Sequence, residues 1–234
     1  MKQKKEKKQK NKKKYPVLSL RYFIYDFVRL TGVIPVLLYF RPKIYRVGKK
    51  EKVKGAIMMS NHIGFTDPMI LLICAGWRRL WSLATVELFQ KKLSAFFFRA
   101  CNCIPVNREN VTIDMYHSIA DVLSSDKLLA MFPEGKINVD NEEETKKFKG
   151  GIALFAIMNK VPVIPVYIVK KNKWYERQKI VMGAPVHLEE VCGGTPTLRD
   201  VEKVSEYLHN KEEELARYYK EKCKKKNKEN KDND

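Results

Sequence analysis

His62 and Asp67 are the two residues whose types and placement best fit proton-transfer chemistry. They lie in the segment 60–68 (SNHIGFTDP), which follows one apolar run and precedes another. This pattern predicts a loop between a strand and a helix, and in open α/β sheets such loops gather ligands at the carboxyl ends of strands. A neutral histidine can take a proton from a hydroxyl near neutral pH, and a carboxylate can fix its tautomer. The segment therefore holds a candidate general-base pair.

Asp67 fits a structural role equally well. An aspartate at the N-cap followed by Pro68 at the first helical position is a favourable helix start whatever the function. On a regular helix His62 and Asp67 would point about 140° apart, so they can pair only if the loop between them turns back. On these residues alone, both interpretations stay open.

A second polar turn follows the apolar run 128–132, in the sequence Pro133-Glu134-Gly135-Lys136. Gly135 would let backbone N–H groups approach a ligand closely, and Glu134 could orient a donor or cap a helix. An ordinary surface turn is the alternative.

Basic residues next to two other predicted element ends suit a phosphate group. Arg108 follows the apolar run 104–106, and Lys149, the last of three lysines, precedes Gly150-Gly151 at a predicted helix start. A guanidinium binds phosphate through two parallel hydrogen bonds, and a helix N-terminus adds oriented N–H groups. Solvated surface side chains are the alternative for each lysine.

From residue 55 onward, apolar runs of strand length alternate with segments of helical periodicity. This alternation predicts a single α/β domain with a mixed, mostly parallel central sheet flanked by helices. The predicted strands are 56–60, 81–85, 104–106, 128–132, 163–169 and 180–184, and the predicted helices are 68–75, 88–100, 111–123, 150–159 and about 198–222. The prolines of the run 161–166 remove backbone donors, so that strand is expected at an edge or with an irregular start.

The net charge of +19 is concentrated in the two ends of the chain. Residues 1–14 carry nine lysines and one glutamate, a net +8, and residues 220–234 carry seven lysines and four acids, a net +3. Such runs bury too little apolar surface to fold, so disordered tails are predicted at 1–14 and 223–234. Solvation, attraction to anionic lipid headgroups and nucleic-acid binding are the open interpretations. The domain lacks an aromatic-and-basic reading motif, so we expect no specific nucleic-acid partner.

Residues 15–44 are apolar and aromatic, but Arg21, Asp26 and Arg29 interrupt the first half. The uninterrupted run 30–40 is shorter than the roughly 20 residues that a membrane-spanning helix needs. We therefore predict amphipathic helices in the membrane interface, or a re-entrant hairpin broken near Gly32 and Pro35. Packing of this segment on the domain's own core is the alternative.

Five cysteines, an odd number, stand in a chain whose start does not resemble a signal peptide, which indicates reduced thiols in the cytoplasm. Cys101 and Cys103 have no second pair at zinc-finger spacing, so no metal is expected. Together with the apolar segment 15–44, the reduced thiols predict a peripheral or monotopic protein at the cytoplasmic face of the membrane.

Taken in order, four short blocks resemble those of the glycerolipid acyltransferases. They are Asn61-His62-x4-Asp67, Ile104-Pro105-Val106-x-Arg108, Phe132-Pro133-Glu134-Gly135 and the run 161–166, with Phe148-Lys149-x-Gly151 extending the third. The resemblance covers about residues 45–190 and is most specific for bacterial 1-acyl-glycerol-3-phosphate acyltransferases, which make phosphatidic acid. We place the acyltransferase domain at residues 45–222.

The resemblance implies that His62 is the general base and Asp67 its orienting partner. It also implies a set of substrate-binding residues, namely Asn61, Arg108, Glu134, Gly135, Lys136 and Lys149. The partners it implies are a membrane lipid surface, a lysophospholipid acceptor, and acyl-CoA or acyl carrier protein (acyl-ACP) as cosubstrate, with no further cofactor. No serine or cysteine in the first block is placed as a nucleophile, which favours direct transfer.

The chain departs from the family after Gly135, where Lys136-Ile137-Asn138 replaces the usual Thr-Arg-Ser. Lys136 can supply a point charge but not the bidentate fork of arginine. Another lysophospholipid or lipid alcohol is therefore the alternative acceptor. A non-catalytic protein that binds lipid or nucleic acid is the alternative to an enzyme.

Overall fold

A seven-stranded sheet forms the centre of the part of the chain that the computed structural model describes, residues 20–49, 51–107, 112–135, 150–171 and 175–231. In chain order the elements are α1 (Leu20–Phe40), β1 (Lys43–Arg46), β2 (Ala56–Ser60), α2 (Asp67–Ala75), β3 (Leu80–Thr85), α3 (Lys92–Ala100), β4 (Cys103–Val106), α4 (Ile113–Ser124), β5 (Leu128–Met131), α5 (Gly151–Asn159), β6 (Val163–Ile168), β7 (Lys179–Met182), α6 (Leu188–Cys192) and α7 (Val201–Lys231). Short 3₁₀ helices at Val86–Phe89 and Leu198–Asp200 precede α3 and α7.

The strands lie in the order β1-β7-β6-β2-β5-β3-β4. Of the paired strands, β6 and β7 run antiparallel and the others run parallel. The carboxyl ends of β2, β5, β3 and β4 therefore meet at one edge of the sheet, where the candidate catalytic loop leaves β2. The predicted mixed, mostly parallel α/β sheet is confirmed.

Both faces of the sheet are covered, because alternate residues of β2 enter two different hydrophobic clusters. Met58 belongs to the cluster that contains Ile70 of α2, and Met59 belongs to the cluster that contains Ile119 of α4 and Leu208 of α7. All five residues of β2 are buried. A short continuous apolar run of this kind is typical of a central parallel strand.

Each predicted strand and each predicted domain helix occurs, with ends shifted by a few residues except at the carboxyl end of the last helix. The helix predicted from residue 88 begins at Lys92, since residues 86–89 form a 3₁₀ helix. Strand β1 and helix α6 were not predicted. β1 is four residues long with a charge at each end, and α6 is five residues long, so neither shows a periodicity that sequence can detect.

Helix α1 runs unbroken through Gly32 and Pro35, so the re-entrant hairpin is wrong. A proline removes one backbone donor and distorts one turn, and here the helix continues on both sides of it. Most of α1 also lies outside the core, because only 12% of the stretch Phe23–Phe40 is buried. Among the described residues, α1 is the one helix whose length and composition would allow it to cross a membrane.

Strand β6 lies inside the sheet, between β7 and β2, so the edge position considered for its prolines is wrong. Antiparallel pairing between β6 and β7 covers Val166 to Ile168 and stops beside Pro165. The missing N–H of Pro165 therefore removes no hydrogen bond from the β6–β7 pairing. The carbonyls of Pro162 and Pro165 accept hydrogen bonds from Ile57 and Gly183, at 3.1 and 2.9 Å. The strand therefore tolerates proline in an interior position.

Helix α7 ends at Lys231, beyond the domain boundary that the sequence predicts at residue 222. Lysine and glutamate dominate this stretch and are good helix formers, which accounts for the extension. The predicted disordered tail therefore overlaps the last turns of α7. Residues 1–14, the other predicted tail, lie outside the described residues.

Candidate active site

A hydrogen bond joins the His62 imidazole to the Asp67 carboxylate at the carboxyl edge of the sheet. Nδ1 of His62 lies 2.8 Å from Oδ2 of Asp67. The backbone N–H groups of Ile63 and Gly64 donate to the same oxygen, at 2.6 and 2.8 Å. These three donors turn the loop back around the carboxylate, which is the condition that the five-residue spacing sets for pairing.

The Asp67 carboxylate does not cap helix α2, so the N-cap role considered for it is wrong. Thr66 occupies the N-cap position, without a hydrogen bond from its side chain, and Asp67 is the first residue of the helix. The Asp67 side chain is 1% exposed. A charge this deeply buried requires hydrogen-bond donors, and His62, Ile63 and Gly64 supply them.

The contact with Asp67 assigns different roles to the two nitrogens of His62. An ionised carboxylate only accepts hydrogen bonds, so Nδ1 of His62 is the donor and carries the proton. Nε2 then holds a lone pair and is the atom that can take a proton from a substrate. The imidazole is 13% exposed, which leaves it open to a ligand on a restricted side.

Phe132 fixes the plane of the His62 ring. The two rings stack with centroids 4.2 Å apart and planes 18° apart. Phe132 directly follows β5, which pairs in parallel with β2, so the first and third motif blocks are brought into contact by sheet register. Sequence reasoning assigned no role to this phenylalanine.

Asn61 holds the candidate catalytic loop to strand β6. Its side-chain N–H donates to the Ile168 carbonyl at 2.9 Å, and its side-chain oxygen accepts from the Ile168 N–H at 2.8 Å. Ser60 also donates to that oxygen, at 3.3 Å. Because both ends of the amide are occupied by the protein, the geometry gives Asn61 a positioning role. Its predicted contact with substrate stays a prediction.

The Glu134-Gly135 turn lies at the same edge of the sheet, immediately after Phe132. Gly135 has φ +66°, a conformation that favours glycine, and its N–H donates to the Phe132 carbonyl at 3.1 Å. Glu134 is buried, with 8% of its surface exposed. The turn is therefore a tight and largely enclosed structure, and its predicted contact with the acceptor stays a prediction.

Glu212 of α7 is a buried acid next to this turn that sequence reasoning missed. It is fully buried, and neither of its oxygens has a hydrogen-bond partner among the residues that the structure describes. Burial, followed by the negative charges of Glu134 and Glu213, raises the pKa of the Glu212 carboxyl to about 8. The signal was available in the helical spacing, because Glu212 lies four residues after Leu208 and three before Leu215, on the buried stripe of α7.

Three predicted substrate-binding residues, Arg108, Lys136 and Lys149, lie outside the described residues. The elements next to two of them are described. β4 ends at Val106 on the same edge of the sheet as the His62 loop, and α5 begins at Gly151 after an N-cap at Gly150. The predicted roles of these three cations stay predictions.

The fold and the site together define a class, α/β proteins in which a histidine held by a buried carboxylate lies at the carboxyl edge of a mostly parallel sheet. Residues 43–169, more than half of the chain, match the acyltransferase family. This chain belongs to that family, which confirms the resemblance predicted from the four motif blocks.

Two characterised relatives and one solved structure are similar to this chain. A 1-acyl-sn-glycerol-3-phosphate acyltransferase of Streptococcus pneumoniae is 31% identical over 175 residues, covering 70% of this chain and 64% of that protein. Tafazzin of Drosophila melanogaster is 27% identical over 170 residues, covering 66% of this chain and 43% of that protein. The chain thus spans less than two thirds of either relative. The crystal structure of the 1-acyl-sn-glycerophosphate acyltransferase PlsC from Thermotoga maritima has a TM-score of 0.60 at 18% identity, covering 85% of this chain and 81% of that one, and supports the fold.

Proposed function

We propose that this chain transfers a fatty acyl group from an acyl thioester to the free hydroxyl of a lysophospholipid. The observation that carries the proposal is the hydrogen bond from His62 Nδ1 to the buried Asp67 carboxylate, which leaves Nε2 as a base. Membership of the acyltransferase family supports the reaction class. The streptococcal relative's name supports 1-acyl-glycerol 3-phosphate as the acceptor and phosphatidic acid as the product.

In this mechanism Nε2 of His62 removes the proton of the acceptor hydroxyl as its oxygen attacks the thioester carbonyl carbon. Asp67 stabilises the resulting imidazolium and keeps its orientation. The tetrahedral intermediate collapses with breakage of the carbon–sulfur bond, and the imidazolium returns the proton to the departing thiolate. The products are an ester and a free thiol, so the atoms and charges balance without a further reactant.

Direct transfer is preferred to a covalent acyl-enzyme. Ser60, which directly precedes the first motif block, is buried and donates to Asn61. Burial raises the pKa of Cys74 to about 12 and that of Cys101 to about 11, which keeps these thiols protonated at neutral pH. His62 therefore acts on the acceptor itself.

The acceptor phosphate is assigned to Arg108, Lys136 and Lys149, with the N-terminus of α5 as a further source of N–H donors. Acyl-CoA and acyl-ACP are both suitable donors, and the acidic carrier protein would be attracted by the positive charge of the chain. Exposed apolar residues on α1 support association with a lipid surface, and we place the protein at the cytoplasmic face of the membrane as a peripheral or monotopic protein.

The test is an incubation of the full chain with radiolabelled palmitoyl-CoA and a panel of lysolipids in vesicles, with chromatographic separation of the products. His62→Ala is run beside His117→Ala, an exposed histidine on α4, as a matched control. We expect labelled phosphatidic acid from the parent and from His117→Ala, and none from His62→Ala. Product from a different lysolipid would keep the chemistry and change the acceptor. Equal activity in both variants, or no product with either CoA or carrier-protein donors, would reject the proposal.

A further inference from the structure

A groove of about 960 Å³ lies between α1 and α2. It exists because α1 is attached to the domain at its two ends. Near the start, the hydroxyl of Tyr25 accepts from the Leu80 N–H at 3.1 Å. At the far end, Phe40 is buried and its carbonyl accepts from the Gln178 N–H at 2.8 Å. Between these ends, Arg29 also donates to the Trp77 carbonyl at 3.1 Å, and Val36 packs against the hydrophobic cluster that contains Ile70.

The walls of the groove are apolar. On α1, four residues at helical spacing line one side, and α2 and β3 contribute the other side. The apolar lining residues are Leu30, Val33, Ile34, Leu37, Leu72 and Ile73, with Trp81 at the base. A cavity of this size and lining is within the range that accommodates small amphipathic ligands.

Four cations and two carboxylates surround one end of the groove, so its rim carries a net positive charge. Two of the cations lie against tryptophans: Arg29 is 5.9 Å from the Trp77 ring centroid and Lys127 is 4.5 Å from that of Trp81. The other members of the rim are Arg78, Arg79, Asp26 and Asp126. Trp77 is 93% exposed, a position that suits the boundary between headgroups and acyl chains.

The charged rim is at the opposite edge of the sheet from His62. Asp126 and Lys127 precede β5, and Trp77 to Arg79 precede β3, whereas His62 follows the carboxyl end of β2. The five residues of β2 separate the two edges by roughly 13 Å. The rim is therefore a different place from the one where the acyl group is transferred.

We propose that the groove binds one molecule of an anionic glycerophospholipid from the membrane, with its phosphate at the Arg29 and Lys127 rim and one acyl chain along α1. A net positive rim selects an anionic headgroup over a zwitterionic one. The apolar part of the groove, which continues from the rim, selects a lipid over a free phosphate ester. The bound lipid is not the substrate of transfer, because the rim that holds its headgroup lies away from the base.

The test uses the full chain, without any acyl donor, and isothermal titration calorimetry with three probes. These are dihexanoyl-phosphatidylglycerol below its micelle concentration, dihexanoyl-phosphatidylcholine, and glycerol 3-phosphate. We expect saturable binding of one phosphatidylglycerol, at least about tenfold weaker binding of phosphatidylcholine, and no measurable binding of glycerol 3-phosphate. Omitting the donor keeps this result independent of the proposed catalytic function, and His62→Ala should bind as the parent does.

Two variants examine the two parts of the site. Removal of the two rim cations assigned to the phosphate, in Arg29→Gln/Lys127→Gln, should weaken phosphatidylglycerol binding roughly 25-fold and leave phosphatidylcholine binding unchanged. Filling the groove with the larger side chain of Val33→Trp should abolish binding of both lipids. The matched control is Lys203→Gln/Arg217→Gln, which removes two exposed cations from α7 on the other face of the sheet and should bind as the parent does.

Equal affinity for the two lipids, or equal weakening in the rim variant and its control, would overturn the inference. So would a shift in the length of the acyl chain transferred by Val33→Trp with no effect on phosphatidylglycerol binding, since the groove would then hold the substrate chain. If Val33→Trp changed the oligomeric state in solution and left lipid binding intact, the groove would be a contact between two copies. Thermal unfolding of each variant identifies any that fails to fold, and the rim variant alone still decides the outcome.

Discussion

The imidazole of His62 lies flat against the phenyl ring of Phe132, with centroids 4.2 Å apart. One residue follows β2 and the other follows β5, so the parallel register of two neighbouring strands sets the orientation of the imidazole. Asp67 holds Nδ1 of the ring by a hydrogen bond, and Phe132 holds its face. The imidazole is thus constrained in two directions by two different motif blocks.

Replacing Phe132 by leucine should lower kcat about two- to tenfold, the range expected for loss of one aromatic contact. KM for the thioester should stay unchanged, because the phenyl ring acts through His62. Steady-state acyl transfer measures both constants. Phe89→Leu is the control, since Phe89 also contacts a ring, that of Phe98, with centroids 5.8 Å apart in another part of the fold. A raised KM with unaltered kcat would assign Phe132 to substrate binding instead.

Asp67→Asn should lower kcat roughly a hundred- to ten-thousandfold, the range that general-base catalysis contributes. An amide cannot stabilise the imidazolium as a carboxylate does, and its N–H group can favour the wrong tautomer. Because the two residues act as one unit, adding His62→Ala to Asp67→Asn should cost no more than His62→Ala alone. Full additivity of the two losses in the double variant would show that the residues act independently.

Asn61→Ala should destabilise the fold by about 2–4 kcal/mol, since it leaves the buried N–H and carbonyl of Ile168 without their partner. Urea unfolding measures the loss, with the exposed Asn210→Ala as a control that should change little. Unchanged stability together with a raised KM for the acceptor would favour the direct substrate contact that the sequence predicts for Asn61.

Glu212 should make the protein less stable as pH rises. Its pKa is raised from 4.5 to about 8 in the folded state, so between those values the folded chain binds more protons than the unfolded chain. The free energy of unfolding should therefore fall by up to about 1.4 kcal/mol for each pH unit across this window and level off above it.

The Glu212→Gln variant should lack this slope, because glutamine does not titrate. Urea unfolding at several pH values compares it with the parent, and Glu214→Gln, an exposed acid on the same helix, should retain the parent's slope. Identical slopes in all three proteins would mean that Glu212 does not carry the buried proton.

The exposed face of α1 should determine vesicle association. Phe23, Phe27 and Leu38 are 66%, 58% and 73% exposed, and changing all three to serine should weaken partitioning into vesicles at least about a hundredfold. Co-sedimentation measures the change. Leu198→Ser, which removes a 63% exposed leucine before α7, is the control and should partition normally. Undiminished co-sedimentation of the triple variant would place the lipid contact on another surface.

Sequence patterns predicted the sheet well because its central strands are short apolar runs between recognisable turns. Residue types and spacing alone suggested His62 and Asp67 as a pair but left their contact open, since the bend that joins them depends on two backbone N–H groups that carry no side-chain signature. The resemblance to the family implied the pairing. Glu212 was missed for a different reason. Its position on the buried stripe of α7 is visible in the sequence, but its neighbour Glu134 is distant in the chain and is brought close by packing alone.

The attachment of α1 at both Tyr25 and Phe40 has a dynamic consequence. A helix held at one end can unfold locally while the rest of a protein stays native, whereas a helix held at both ends loses its contacts to two separate parts of the sheet when it opens. Opening of α1 would therefore disturb the start of β3 and the β1–β7 edge together. In amide hydrogen exchange, the first turns of α1, the last turns of α1 and these two strand regions should behave as one cooperative unit.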